Sequence, residues 1–148
     1  MNPENKCAHL FNDPEFDEKN ADMFDNHEDF LCAMFTMQKS LQQRIGNDPD
    51  KMDFMERVQF IKENWNYLSC EYAELLERLP FKTWKNYTDE QKAGFTDEEH
   101  KLEVWYEWCD MLHFFINIGL CLGIDGEKAF KLYWTKNKEN FNRQDRGY

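Results

Sequence analysis

Apolar side chains recur at helical spacing in four stretches of the chain and alternate at strand spacing in none. The first stretch, "NHEDFLCAMFTMQKSLQQRIG", predicts a helix capped near Asn26 and stopped by Gly46, with Phe30, Met34, Met37, Leu41 and Ile45 as its inward stripe. "GNDPD" then makes a turn. A long second helix follows, with Phe54, Val58, Ile61, Trp65, Leu68, Tyr72, Leu75 and Leu79 at alternating spacings of four and three, and Pro80 stopping it. In the polar stretch after it, Thr88-x-x-Gln91 and Thr96-x-x-Glu99 have the spacing of capping boxes, which predicts a short helical turn before the third long helix. That third helix, "EVWYEWCDMLHFFINIGLCLG", is apolar nearly all round. "GIDGEK" ends it, and Asp125 is placed to cap a fourth helix through "AFKLYWTKNKENF".

Six glycines, four prolines and the absence of alternating β-branched runs leave no room for a sheet. The expected fold is all-α: four main helices in a bundle-like arrangement around one core, plus a short helical insertion. With no repeat, low-complexity tract or linker, residues 1–148 are read as one domain. Residues 1–25 would be an irregular start and residues 141–148 a polar tail.

A chain of 148 residues can bury enough surface to fold without staples, and its five cysteines are odd in number and lack a C-x-x-C pair. They read as reduced thiols in a cytoplasm. No stretch is apolar for long enough to span a bilayer, so no membrane is expected. A net charge of −11 excludes a nucleic-acid polymer as partner, since that affinity comes from cations on phosphates. The charge is also segregated. Residues 128–148 carry six cations against Glu139 and Asp145 alone.

The third helix raises a problem of its own. Glu103, Glu107 and Asp110 lie along one side, Glu107 and Asp110 about 60° apart, in surroundings of Trp105, Trp108, Met111, Leu112 and Phe114. The second helix has a matching pair, Glu71 and Glu74. Each pair points two carboxylates the same way, and if the helices pack side by side four acids converge. Ions placed out of water need partners, and no Lys or Arg lies between Lys101 and Lys128 to provide one from the third helix. A hard divalent cation resolves the repulsion, because Mg²⁺ takes carboxylate oxygens and bridges to phosphates. A ferritin-like di-iron site would need Glu-x-x-His on two helices, and the second helix has no histidine. The bland alternative is that such spacings decorate a solvated face. Gln38 and Gln42, on or beside the inward stripe of the first helix, add two amides that burial would oblige to find partners.

"EYAELLERLPFKTWK", "EWCDMLHFF" and "LYWTKNKENFNRQDRGY" resemble, in order, the motifs of the dimeric dUTPase group of the all-α NTP pyrophosphatase superfamily. "KCAHLF", "MQKSLQ" and "NFNRQDRGY" look most like its phage branch, which acts on dCTP as well as dUTP. The resemblance touches all four helices, is most specific in the last twenty residues, and is weakest over residues 11–30 and 86–100. It implies Mg²⁺-dependent hydrolysis of a deoxypyrimidine triphosphate to monophosphate and pyrophosphate, in a homodimer. Glu71, Glu74, Glu107 and Asp110 would be the metal ligands, with Glu71 or Glu74 also orienting or deprotonating the attacking water.

The same resemblance assigns Lys82, Lys85, Tyr133, Lys136, Asn140 and Arg143 to the phosphates, and Gln38, Gln42, Trp84 and His113 to base and sugar. The 32 residues between Glu74 and Glu107 exceed the spacing of compact members, which makes residues 86–100 an insertion. If the chain is phage-encoded, the expected place is the host cytoplasm, where dCTP and dUTP would be removed and the monophosphates supplied. The rival from another class is an acidic helical binding protein, such as a DNA mimic, which would display its acids on the surface.

Overall fold

The structure is a computed structural model that describes residues 29–147. The described residues are all-α: α1 (Phe30–Arg44), α2 (Phe54–Glu77), the short α3 (Asp89–Ala93), α4 (Glu98–Cys121) and α5 (Gly126–Asp145). The irregular segment expected over 1–25 and the cap expected at Asn26 lie outside the described residues.

Local chemistry fixes the helix ends. Asp29 caps α1 by accepting from the Cys32 amide at 3.1 Å. The other end closes as Gly46 predicts: with φ at 89°, Gly46 donates to the Gln43 carbonyl while Asn47 donates to that of Gln42, the paired bonds of a Schellman stop. The capping box at Thr88 and Gln91 forms on both sides and starts α3. At α4 the cap is Asp97 rather than Thr96. Its carboxylate accepts from the His100 amide at 2.7 Å, while the Thr96 amide donates to the His100 ring. α4 ends in a second Schellman stop at Gly123 (φ 74°), with Ile124 donating to Gly119 and Gly123 to Leu120. Asp125 caps α5 as expected, accepting from Lys128 at 2.8 Å. α5 then runs through Asp145, so most of the segment expected as a tail is helical.

The described residues fall into two compact units. The first, Glu63–Phe115, holds the C-terminal part of α2, α3 and most of α4, with Val104 buried and the rings of Tyr67 and Phe114 packed at 5.5 Å. The second, residues 29–62 with 116–147, holds α1, the start of α2, the end of α4 and α5. Here α1 packs on α5, and Phe35, Ile116 and Cys121 are buried. Gly119 lets the Phe35 ring approach: a β-carbon there would lie 3.3 Å from Cε1.

The buried faces are not the apolar stripes that the spacing suggests. On α1 the buried residues are Phe35, Gln38 and Gln42, whereas Phe30, Met37, Leu41 and Ile45 are exposed. On α2 Asn64 is buried, while Phe54, Val58, Trp65 and Tyr72 are exposed. An apolar stripe implies that a face is covered but not by what, and in the single chain these faces are open.

Gly126, the first residue of α5, meets the backbone of α1. A β-carbon there would stand 2.5 Å from Cys32 Cα and 2.7 Å from its nitrogen, and a backbone cannot step aside as a side chain does. Gly126→Ala should therefore destabilise the protein by about 1–3 kcal/mol, lowering the melting temperature by roughly 3–10 °C. An unchanged melting temperature would mean that α5 starts further from α1 than the structure has it.

Candidate functional site

Glu71, Glu74 and Arg78 follow one another at three and four residues, so they form one stripe at the C-terminal end of α2. Glu103, Glu107 and Asp110 form the corresponding stripe of α4. Within the first unit the two meet: carboxylate oxygens of Glu71, Glu74 and Glu107 lie within 4.8 Å of one another. Asp110 stands outside that trio but close enough to raise the Glu71 carboxyl, and Glu74 raises Asp110 in turn. Glu103 and Glu107 are buried, at 3% and 6% exposure. Asp110 is half-exposed, contrary to the burial its apolar neighbours suggest.

The third helix gives these acids no cation from the stretch after Lys101, but Arg78 at the end of the second does. Its guanidinium, itself buried, contacts Glu107 Oε1 through Nε and Nη2 and reaches Glu103 Oε2 at 3.5 Å. Looking for cations along the third helix missed it because it comes from the end of the second. The available signal was its place four residues after Glu74, on the acid face. Among the described residues no Lys or Arg forms an ion pair with Glu71, Glu74 or Asp110, and Arg78 pairs with the other two, Glu103 and Glu107. Burial, then Glu74, Asp110 and Glu107, hold the Glu71 carboxyl above its ordinary range. Burial likewise raises Asp110, with partial relief from His113.

This donor set suits a hard divalent cation. The three converging groups are all carboxylates, their oxygens stand close enough for one ion to span, and their charge exceeds what Arg78 neutralises. Among the described residues no thiol or imidazole joins the trio, whereas a ferritin-like di-iron site takes a histidine from each of two helices.

The remaining candidates divide between the units. In the first, Lys82 and Lys85 line a cavity of about 230 Å³ together with Arg78, Tyr87 and His100. Lys82 pairs with Glu77 at 2.6 Å and Lys85 lies over the Tyr87 ring. Trp84 does not pack after the turn; it is 80% exposed. His113 is exposed too, its Nδ1 3.8 Å from Asp110 Oδ1.

In the second unit Gln38 and Gln42 are buried, as their place on α1 suggests. The Gln38 amide donates to Asn117 Oδ1 at 2.8 Å, and Gln42 Oε1 accepts from Asn47 at 3.4 Å. Asn117 was not singled out from the sequence, although Asp110, His113 and Asn117 recur at three and four residues on one α4 face. Tyr133, Lys136 and Asn140 stand exposed on α5 and Arg143 pairs with Glu139, so the expected donor stripe does lie on a continuous helix.

The model of the dUTPase family matches residues 30–129, a span that holds both acid pairs and the buried amides. The chain belongs to this family. It is 34% identical to the dCTP pyrophosphatase of Enterobacteria phage T4 and 35% identical to that of Enterobacteria phage LZ5, in each case over 97% of this chain and 98% of the relative. A DNA replication protein of phage T4 is 31% identical over 93% of this chain, which accounts for 41% of that longer protein. No solved structure matches.

The raised carboxyls make a signed prediction. A carboxyl that is easier to protonate in the folded than in the unfolded chain favours folding below its ordinary pKa, and that contribution is lost as pH rises through the raised value. In chelator, Asp110→Asn should therefore gain melting temperature relative to the parent as pH rises from about 4 to about 7. A variant that instead falls behind the parent with rising pH would make Asp110 a paired structural acid.

Proposed function

We propose that this protein hydrolyses dCTP and dUTP to dCMP or dUMP and pyrophosphate with Mg²⁺ held at the acid cluster. The observation that carries the reading is the convergence of Glu71, Glu74 and Glu107 with one guanidinium nearby, in a chain of the dUTPase family similar over nearly its whole length to phage dCTP pyrophosphatases. Glu103 and Glu107 are buried against Arg78 and Glu107 converges with Glu71 and Glu74, which a DNA mimic displaying its acids on the surface would not need.

Glu71, Glu74, Glu107 and Asp110 would hold the metal. When bound, it supplies polarisation of phosphate oxygens and offsets the charge that develops on the triphosphate. Glu71, the less exposed of the first pair, would take the proton of the attacking water. Glu74, more exposed, would orient that water. Lys82, Lys85, Tyr133, Lys136, Asn140 and Arg143 would bind phosphate oxygens, with Arg143 offering a planar fork. Trp84 and His113 would contact base or sugar.

Gln38 and Gln42 would read the base. An amide carries both donors and an acceptor, so rotating it satisfies either the uracil or the cytosine edge. Gln38 already spends one donor on Asn117, which orients what remains.

Two features support a homodimer acting in the host cytoplasm. Aromatic and long aliphatic side chains stand exposed on several helices, among them Met37 and Ile45 on α1, Trp108 on α4 and Phe141 on α5, more apolar surface than a lone chain should show. Among the described residues no single helix is long and apolar enough to cross a membrane.

With purified protein and Mg²⁺, dCTP and dUTP should each yield monophosphate and pyrophosphate, activity should stop with EDTA, and added Mg²⁺ should restore it. Undiminished turnover in chelator would remove the metal from the reading. Base reading has its own measurement. Gln42→Asn shortens the amide by one methylene and should change kcat/KM for dCTP and dUTP unequally, by about two- to tenfold, in favour of dUTP. An equal change for both would limit Gln42 to holding Asn47 at the end of α1.

A further inference from the structure

Arg78 is the most constrained cation among the described residues. Its amide donates to the carbonyls of Glu74 and Leu75 at 3.3 Å, continuing α2 by one residue. Its carbonyl meets His100 Nε2 at 2.8 Å. The Thr96 amide donates to His100 Nδ1 at 3.2 Å, so the ring proton sits on Nε2, and His100 is the donor to Arg78. The backbone of Arg78 is thus tied both to the acid-bearing turn of α2 and to the first turn of α4. Its Nη2 reaches both Glu103 and Glu107, with all three side chains under a tenth exposed.

We infer that Arg78 is a positioning residue for the metal-binding acids. It holds the Glu107 carboxylate by Oε1 and so fixes where that carboxylate stands against Glu71 and Glu74. Glu103 takes no part in the trio; its Oε2 meets the same Nη2 that contacts Glu107 and steadies the guanidinium there. The inference rests on the acid cluster being a metal site, but it assigns work to residues outside the ligand set.

Charge and geometry make opposite demands here. A guanidinium close to a cation site repels the cation, so if Arg78 acted by charge alone, its removal would tighten metal binding. If it acts by fixing Glu107, its removal must loosen binding even though a positive charge has gone. Residues that orient a ligand in this way are worth about ten- to a hundredfold in metal affinity.

The measurement is Mn²⁺ binding to the full chain without nucleotide, read as free Mn²⁺ by electron paramagnetic resonance, with melting followed by circular dichroism. Arg78→Met should weaken Mn²⁺ binding by about ten- to a hundredfold. Arg78→Lys keeps the charge but not the fork, so it should fall between Arg78→Met and the parent; it carries the test alone if the Met variant does not fold. A parent that binds Mn²⁺ while Arg78→Lys binds it equally well or more tightly would reduce Arg78 to a structural ion pair. A parent that binds no Mn²⁺ would overturn the metal reading of the cluster, and the role of Arg78 with it.

Discussion

Repulsion among five carboxylates at the junction of α2 and α4 is the constraint on which the first unit depends. Glu71, Glu74, Glu103, Glu107 and Asp110 are held by helices whose other faces fix their positions, so they cannot simply turn away. Arg78 answers part of the repulsion by taking Glu103 and Glu107, the two most buried. Breaking such a pair from one side costs about 3–5 kcal/mol, because a buried charge is left alone. The other three acids remain, and burial, with the acidic neighbours after it, raises the Glu71 and Asp110 carboxyls. A structure that needed only stability would replace the group with apolar side chains of similar volume. Keeping the acids makes sense where a cation is to be bound.

Polar burial characterises the second unit as well, by a different device. Gln38, Gln42 and Asn117 are neutral, and each finds a partner inside the fold, so none carries the penalty of an unmade hydrogen bond. The same unit is also closed by a backbone contact. α5 begins against the first turn of α1 at Gly126, a position where any β-carbon would strike Cys32. That contact brings together helices from opposite ends of the described chain, which the short links between neighbouring helices could not do.

What the sequence disclosed follows the range of the physics involved. Helix ends depend on bonds between residues a few positions apart, so the Schellman stops at Gly46 and Gly123, the capping box at Thr88 and the Asp125 cap were all legible. The acid pairs were legible as stripes, and the likeness of the motifs gave them a role. Three readings failed where the deciding partner was distant or competing. Thr96 lost the cap to Asp97, one residue on; the apolar stripes of α1 and α2 were read as inward faces, yet most of them stand exposed in the single chain; and Arg78 was overlooked because it reaches its acids across helices.

The exposed apolar faces and the polar interior belong to one argument. A chain that spends its buried positions on Glu103, Glu107, Asn64, Gln38, Gln42 and Asn117 has fewer of them for the side chains that usually drive folding. Much of its aromatic content is then left on the surface, where Trp65, Trp105, Trp108 and Phe141 stand in water. Burying one such side chain gives about 1.5–3 kcal/mol, so a few of them withdrawn into an interface could replace what the polar interior does not provide.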